Sequence, residues 1–172
     1  PSRAALMTGQ YSIRNGLSLI LVPGADANTL SARAFTMGEL FKSVGYTTAL
    51  FGKWHLGSSL QSLPMAHGFD EFYGIPPDVS WDAATYVDTI ELTHSINAPR
   101  DTLLAKGPQI YEAVAGGPLR TVKPYTRDVR AEIDNELVAK SVEFMKRQTA
   151  AAKPFCLYLP FSMGHFPNLP AK

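Results

Sequence analysis

The feature that most restricts the fold is a unit that occurs twice: an amphipathic helical segment followed at once by a short, continuously apolar run. The first copy is TMGELFKSVG followed by YTTALF, and the second is TRDVRAEIDNELVAKSVEFMKRQ followed by PFCLYLPFS. In the first helix Thr36 and Glu39 form a capping-box pattern, Met37, Leu40, Phe41 and Val44 recur at helical spacing, and Gly45 ends it. In the second, Val129, Ile133, Leu137, Val138, Val142 and Met145 mark an apolar face. A strand that is apolar along its whole length has to be covered on both sides. Two helix–strand units of this kind therefore predict an α/β fold with a mainly parallel sheet.

The remaining segments are less regular. PSRAALMTG reads as a short helix, with Pro1 in its first turn and Gly9 as its stop. QYSIRNGLSLILVPGADANTLSAR reads as loop, broken by Gly16, Pro23 and Gly24. GFDEFYGIP predicts a short strand and a turn, while WDAATYVDTIELT fits a strand pair or a helix. The stretch from Asn97 to Tyr125 carries Pro99, Gly107, Pro108, Gly116, Gly117, Pro118 and Pro124, which predicts a surface excursion. MGHFPNLP reads as a closing loop.

Composition then excludes several functions. The 172 residues suffice for one domain with a core, and 45% hydrophobic against 18% charged residues is globular composition. A net charge of +1 provides no field for nucleic acid or an acidic membrane surface. The single cysteine, Cys156, rules out an internal disulfide framework, and its apolar surroundings predict a buried structural thiol. No run of eighteen apolar residues predicts a membrane span, and no signal peptide is visible. The chain opens on PSRAALMTG without an initiator Met and reads as an internal piece of something longer.

Ligands in open α/β sheets bind beyond the carboxyl ends of the strands. After YTTALFG come Lys53 and His55, and after PFCLYLPFS comes His165. Parallel neighbouring strands would place these three groups on one rim, where a lysine and two histidines suit an anion and proton transfer. Arg3, in the first turn of the opening helix, would add a bidentate clamp for an oxyanion such as sulfate or phosphate. His67 and His94 lack such a context and are read as structural. Gly52-Lys53 resembles the tail of a phosphate loop. The full G-x-x-x-x-G-K-[ST] pattern is absent, however, and Trp54 stands where Ser or Thr would be needed. No metal-ligand motif of paired cysteines, paired aspartates or H-E-x-x-H is present.

These residues carry a family resemblance. PSRAALMTGQYSIRNG resembles the first sulfatase signature, C/S-x-P-S-R-x-x-L-x-T-G, without its first two positions, and GYTTALFGKWHLG resembles the second signature nearly in full. HGFDEFYGIP and KPFCLYLPFSMGHFP are similar to segments that follow in arylsulfatases, in the same order. The resemblance spans essentially the whole chain and is weakest between Asn97 and Tyr125. It implies an alkaline-phosphatase-like α/β sandwich with a large mixed sheet, of which residues 1–172 would be a partial catalytic domain.

The implied chemistry is sulfuric ester hydrolysis by a formylglycine, made by a dedicated maturase from the Cys or Ser two positions before the Pro of P-S-R. That position would lie just upstream of Pro1. The hydrated aldehyde attacks sulfur, the alcohol leaves, and the sulfated diol collapses to release sulfate. In this resemblance Arg3 stabilises the formylglycine, while Ser2 belongs to the motif read by the maturase. Lys53 binds the sulfate and the formylglycine oxygen, His55 contacts the hydrate and helps its collapse, and His165 binds the ester oxygen. Some arylsulfatases carry a sulfate-contacting Ser shortly after the G-I-P segment. GIPPDVSWD differs by an apparent insertion, which makes Ser80 the candidate here, ahead of Asp78.

The family's calcium would be held by residues outside this chain, so no metal ligand is expected within it. Its substrate would be a small-molecule or carbohydrate sulfate ester, and the family works in periplasmic, secreted or lysosomal settings. The isolated chain is expected to be inactive. A phosphonate or phosphate ester hydrolase on the same scaffold, and a non-catalytic binding protein that kept the fold, are the competing readings.

Overall fold

Both predicted apolar runs are strands, and they lie side by side. The computed structural model describes residues 1–19, 29–76 and 107–163. β1 (Thr47–Lys53) pairs in parallel with β5 (Phe155–Tyr158) on one side, from Thr47 opposite Phe155 to Leu50 opposite Tyr158. On its other side it pairs in parallel with β2 (Glu71–Ile75), from Ala49 opposite Glu71 to Lys53 opposite Ile75. β3 (Gln109–Val114) and β4 (Arg120–Pro124) continue the sheet antiparallel, giving the order β4-β3-β2-β1-β5. The result is a mixed sheet with a parallel core, as the two helix–strand units require.

β3 and β4 correct the reading of Asn97–Tyr125 as a surface excursion over its described part, residues 107–125; residues 97–106 lie outside the described residues. Gly116, Gly117 and Pro118 fall in the hairpin between the two strands, with Gly116 at φ 78° and the Gly117 N–H on the Val114 carbonyl at 2.9 Å. Pro124 closes the outermost strand, where a missing N–H disrupts the sheet least. The breakers mark turns inside a ribbon, and Ile110 between them is fully buried.

Alternate residues of the central strands serve different layers. Ala49, Phe51, Tyr73 and Ile75 point to a cluster with Ile110, Tyr125, Ile133, Leu137 and Phe144, under the long helix α3 (Arg127–Ala150). Leu50 and Phe72 point the other way, to a cluster with Ala4, Met7, Leu17, Leu30, Trp54, Leu56 and Phe69. That second layer is built from α1 (Ser2–Thr8) and α2 (Met37–Ser43). A central strand covered on both faces has no use for a polar side, which explains the unbroken apolar run of β1.

The helix starts and stops follow the sequence, but the buried faces differ from it. Gly9 ends α1 in a left-handed conformation at φ 65°, and the Thr36–Glu39 capping box is fully formed at α2. In α2, however, Leu40 and Val44 are exposed and Gly38 is the buried residue, packed against the His67 carbonyl and the Phe69 ring. In α3 the buried stripe is Arg130, Ile133, Leu137, Ser141, Phe144 and Gln148, while Val138 and Val142 are exposed. The 3–4 spacing was legible, but three polar residues occupy the stripe. Ser141 fits there because its hydroxyl donates to the Leu137 carbonyl at 2.7 Å. Cys156, expected to be fully buried, is partly exposed in β5, with its thiol pKa raised by what burial there is.

Candidate functional site

β1 leaves the sheet through Gly52, Lys53, Trp54 and His55, and neighbouring chain holds each of them. Gly52 sits at φ 129°, and a Cβ there would overlap the Pro160 carbonyl oxygen. β1 runs straight through it to Lys53, and the glycine is needed because the segment after β5 passes so close. The Lys53 N–H donates to that same Pro160 carbonyl at 3.1 Å, and the lysine is 4% exposed.

Trp54 is fully buried, with its backbone N–H on Ile75 O at 3.0 Å and its indole N–H on Ser62 O at 2.7 Å. His55 is half-buried at φ 56°, and its N–H donates to Pro76 O at 2.9 Å. A left-handed conformation at a non-glycine residue costs of order 1–3 kcal/mol and persists only where its surroundings impose it. Here the buried indole on one side and the β2 exit on the other impose it. Trp54 thus points into packing between Lys53 and His55 in the chain, and its burial fixes the backbone that carries both.

The exits of β5, β1 and β2 are in this way joined at one rim, the ligand-binding end of an open α/β sheet. Arg3 stands on α1, whose buried Ala4 and Met7 share an apolar cluster with Leu50, Trp54 and Leu56. The Arg3 Nε is buried without a hydrogen-bond partner among the described residues, which is uncommon for a guanidinium donor. Arg3, Lys53 and His55 are thus carried by elements packed on one another. His165, Ser80, Asp78 and His94 lie outside the described residues. The chain leading to His165 is described as far as Met163, and Asp134 of α3 fastens its end. The Asp134 carboxylate accepts from Ser162 N and Oγ, both at 2.8 Å, and from Met163 N at 2.9 Å. Sequence reasoning missed Asp134: it stands 28 residues from Ser162 and belongs to no motif.

His67, read as an ordinary structural histidine, is fully buried, and neither ring nitrogen has a hydrogen-bond partner among the described residues. Its ring lies 6.0 Å from that of Trp54. Burial pushes its pKa below the usual value near 6.5, against the pull of the Glu39 carboxylate. The buried imidazole therefore stays neutral while the unfolded one takes up a proton. Its contribution is complete above pH 6.5 and is lost as pH falls from there through the folded pKa. Stability is expected to fall on acidification from pH 7.5 to 5.5 with a slope of at most about 1.4 kcal/mol per pH unit. His67→Gln is expected to flatten that slope, as read from denaturant midpoints; an unchanged slope would exclude His67 as its source.

Among the described residues no group of three or more His, Cys, Asp or Glu could hold a metal ion. The described residues do not by themselves fit a calcium site. Among them, too, no helix is long and apolar enough to cross a membrane.

The class the fold defines is a mixed α/β sheet with a parallel core, whose central strand ends at Lys53 with His55 just beyond. The chain belongs to the sulfatase family, whose model, described as Sulfatase, matches residues 1–172. It is 29% identical to the N-acetylgalactosamine-6-sulfatase of Canis lupus familiaris, over 97% of this chain and 30% of that protein. Among solved structures it is similar to the PsFucS1 sulfatase from Pseudoalteromonas sp., with 32% identity, a TM-score of 0.80, and 99% of this chain and 35% of that one covered. Ps i-CgsB, solved in complex with k-i-k-neocarrahexaose, is 26% identical with a TM-score of 0.65, over 97% of this chain and 35% of its own. The chain thus spans about a third of the length of these relatives. The likeness to sulfatase structures agrees with the alkaline-phosphatase-like architecture expected above.

Proposed function

We propose that the complete protein is a sulfuric ester hydrolase of the arylsulfatase type and that residues 1–172 form part of its catalytic domain. The observation that carries this reading is the burial of Lys53 at the rim between the β5 and β2 exits, beside a His55 held in a left-handed conformation. That is the place where open α/β sheets bind ligands, and an ammonium there suits an anion such as sulfate. Lys53 would bind the sulfate. Arg3, with its unpartnered Nε, would hold the oxyanion side of the nucleophile, and His55 would move a proton there. His165 would sit at the ester oxygen and favour departure of the alcohol, and Ser80 would contact the sulfate.

A formylglycine just upstream of Pro1, installed by a maturase, would supply the nucleophile. On that reading the 172-residue chain alone does not turn over substrate. Substrates would be small-molecule or carbohydrate sulfate esters; the similarity to an N-acetylgalactosamine-6-sulfatase and to Ps i-CgsB, solved with an oligosaccharide, supports a sugar.

The test compares 4-nitrophenyl sulfate with 4-nitrophenyl phosphate on the complete protein, together with the mass of the peptide containing Pro1–Arg3. A sulfate preference of at least about 100-fold in kcat/KM, roughly 2.7 kcal/mol, is expected with an aldehyde-bearing peptide. A preference for phosphate would favour a phosphoester hydrolase, and no turnover of either would favour a binding protein.

A further inference from the structure

His55 is a half-buried residue between two deeply buried ones. Trp54 and Leu56 lie in one apolar cluster with Leu30, Leu50 and Phe69. Both neighbours are also fastened by hydrogen bonds. The Trp54 indole N–H donates to Ser62 O at 2.7 Å, and the Leu56 carbonyl accepts from the Leu30 N–H at 2.8 Å. Between them His55 takes φ 56°. Lys53 is held differently. It is the last residue of β1, opposite Ile75 in the parallel ladder, with its N–H on Pro160 O.

The acceptor of the indole bond is itself well fixed. Ser62 is buried, and its N–H and hydroxyl both donate to Ser59 O, at 2.9 and 3.1 Å. Gly57 lies so close that a Cβ on it would overlap Ser62 Oγ. Two rings close other sides of the indole, Phe69 edge-on at 6.1 Å and His67 at 6.0 Å between centroids. Packing alone would let an apolar ring of similar size turn or slide. The directed bond to Ser62 O fixes the indole in one orientation, and with it the backbone entering His55.

We infer that Trp54 is a positioning residue for His55, whose left-handed place just past β1 is fixed by the bond between the indole and Ser62. The inference rests on the reading of His55 as the group that moves a proton. A left-handed residue persists only while its surroundings impose it. Loss of the indole bond therefore lets His55 leave its place. Lys53, held by the ladder and by Pro160, keeps its own, so kcat falls while KM holds. A Trp54 that merely filled the apolar cluster would show no such division.

The experiment uses the complete protein with 4-nitrophenyl sulfate as substrate. Trp54→Phe keeps an aromatic ring and removes the N–H. It is expected to lower kcat about 10-fold, with KM changed by less than about twofold. In a His55→Ala background that loss is expected to vanish. A loss that came only from a smaller folded fraction would persist there. Ser62→Ala leaves the indole whole and frees its acceptor from the Ser59 turn. It is expected to lower kcat about threefold, again only when His55 is present, and it decides the matter alone if Trp54→Phe does not fold. If His55→Ala lowers kcat but the deciding variant turns over at the wild-type rate, the role of Trp54 is overturned. The same holds if its loss falls on KM or is equal with and without His55. If His55→Ala keeps the wild-type rate, the reading of His55 itself is overturned.

Discussion

Replacing Lys53 by Ala in the complete protein is expected to lower kcat/KM for a sulfate ester by about 10²–10³-fold. Lys53 is buried at the rim, and toward a sulfate in such a low-dielectric place its charge is worth several kcal/mol more than it would be in water. Lys53→Arg is expected not to restore the rate. The guanidinium is larger and planar, and the backbone at this point is closed in by Pro160 on one side and Ile75 on the other. Turnover within threefold of wild type in the Ala variant, at unchanged unfolding midpoint, would remove Lys53 from the site.

Gly52→Ala is expected to damage both stability and activity. Gly52 lies opposite Gly74 in the parallel register, and the backbones approach so closely that a Cβ on Gly74 would overlap Gly52 O. A Cβ on Gly52 would overlap Pro160 O, and at φ 129° the alanine would also be strained. Both partners of the clash are backbone, so no side-chain rotation relieves it, and the β1 and β5 exits have to separate. A loss of about 3–4 kcal/mol is expected, from backbone strain plus the displaced strand pairing. Separation moves Lys53, whose N–H is bonded to that carbonyl at 3.1 Å, and displacement of about 1 Å at a reacting group can cost 100-fold in rate. Denaturant unfolding checks the first figure. A stability within about 1 kcal/mol of wild type would show that the strands are not held as described.

The parts of this architecture that depend on local chain chemistry were legible in the residues alone. The capping box at Thr36 and Glu39, the glycine stop at Gly9, and the apolar runs that became β1 and β5 follow from preferences acting over a few positions. The place of Lys53 and His55 at the end of a strand, where α/β sheets bind ligands, was legible too. The adjacency of β1 and β5 was only the condition for a shared rim, and the parallel pairing supplies it. The short signature stretches then carried the family.

Other features are settled only by contacts between residues far apart in the chain. Gly and Pro between Gly107 and Pro124 look the same in a loop and in a hairpin; pairing with β2 made them a ribbon. Arg130, Ser141 and Gln148 are polar and still occupy the buried stripe of α3, since the rotation of a helix is set by what it packs on. Gly52 is explained by the passage of Pro160, and the left-handed His55 by the burial of Trp54 and the carbonyl of Pro76. Asp134 acquires its three hydrogen bonds from a segment 28 residues away. Residue types and their local spacing thus determined which elements form and which groups stand at their ends. Tertiary packing decided how those groups are held, because buried hydrogen bonds and steric limits arise only when distant backbone is brought within a few ångströms.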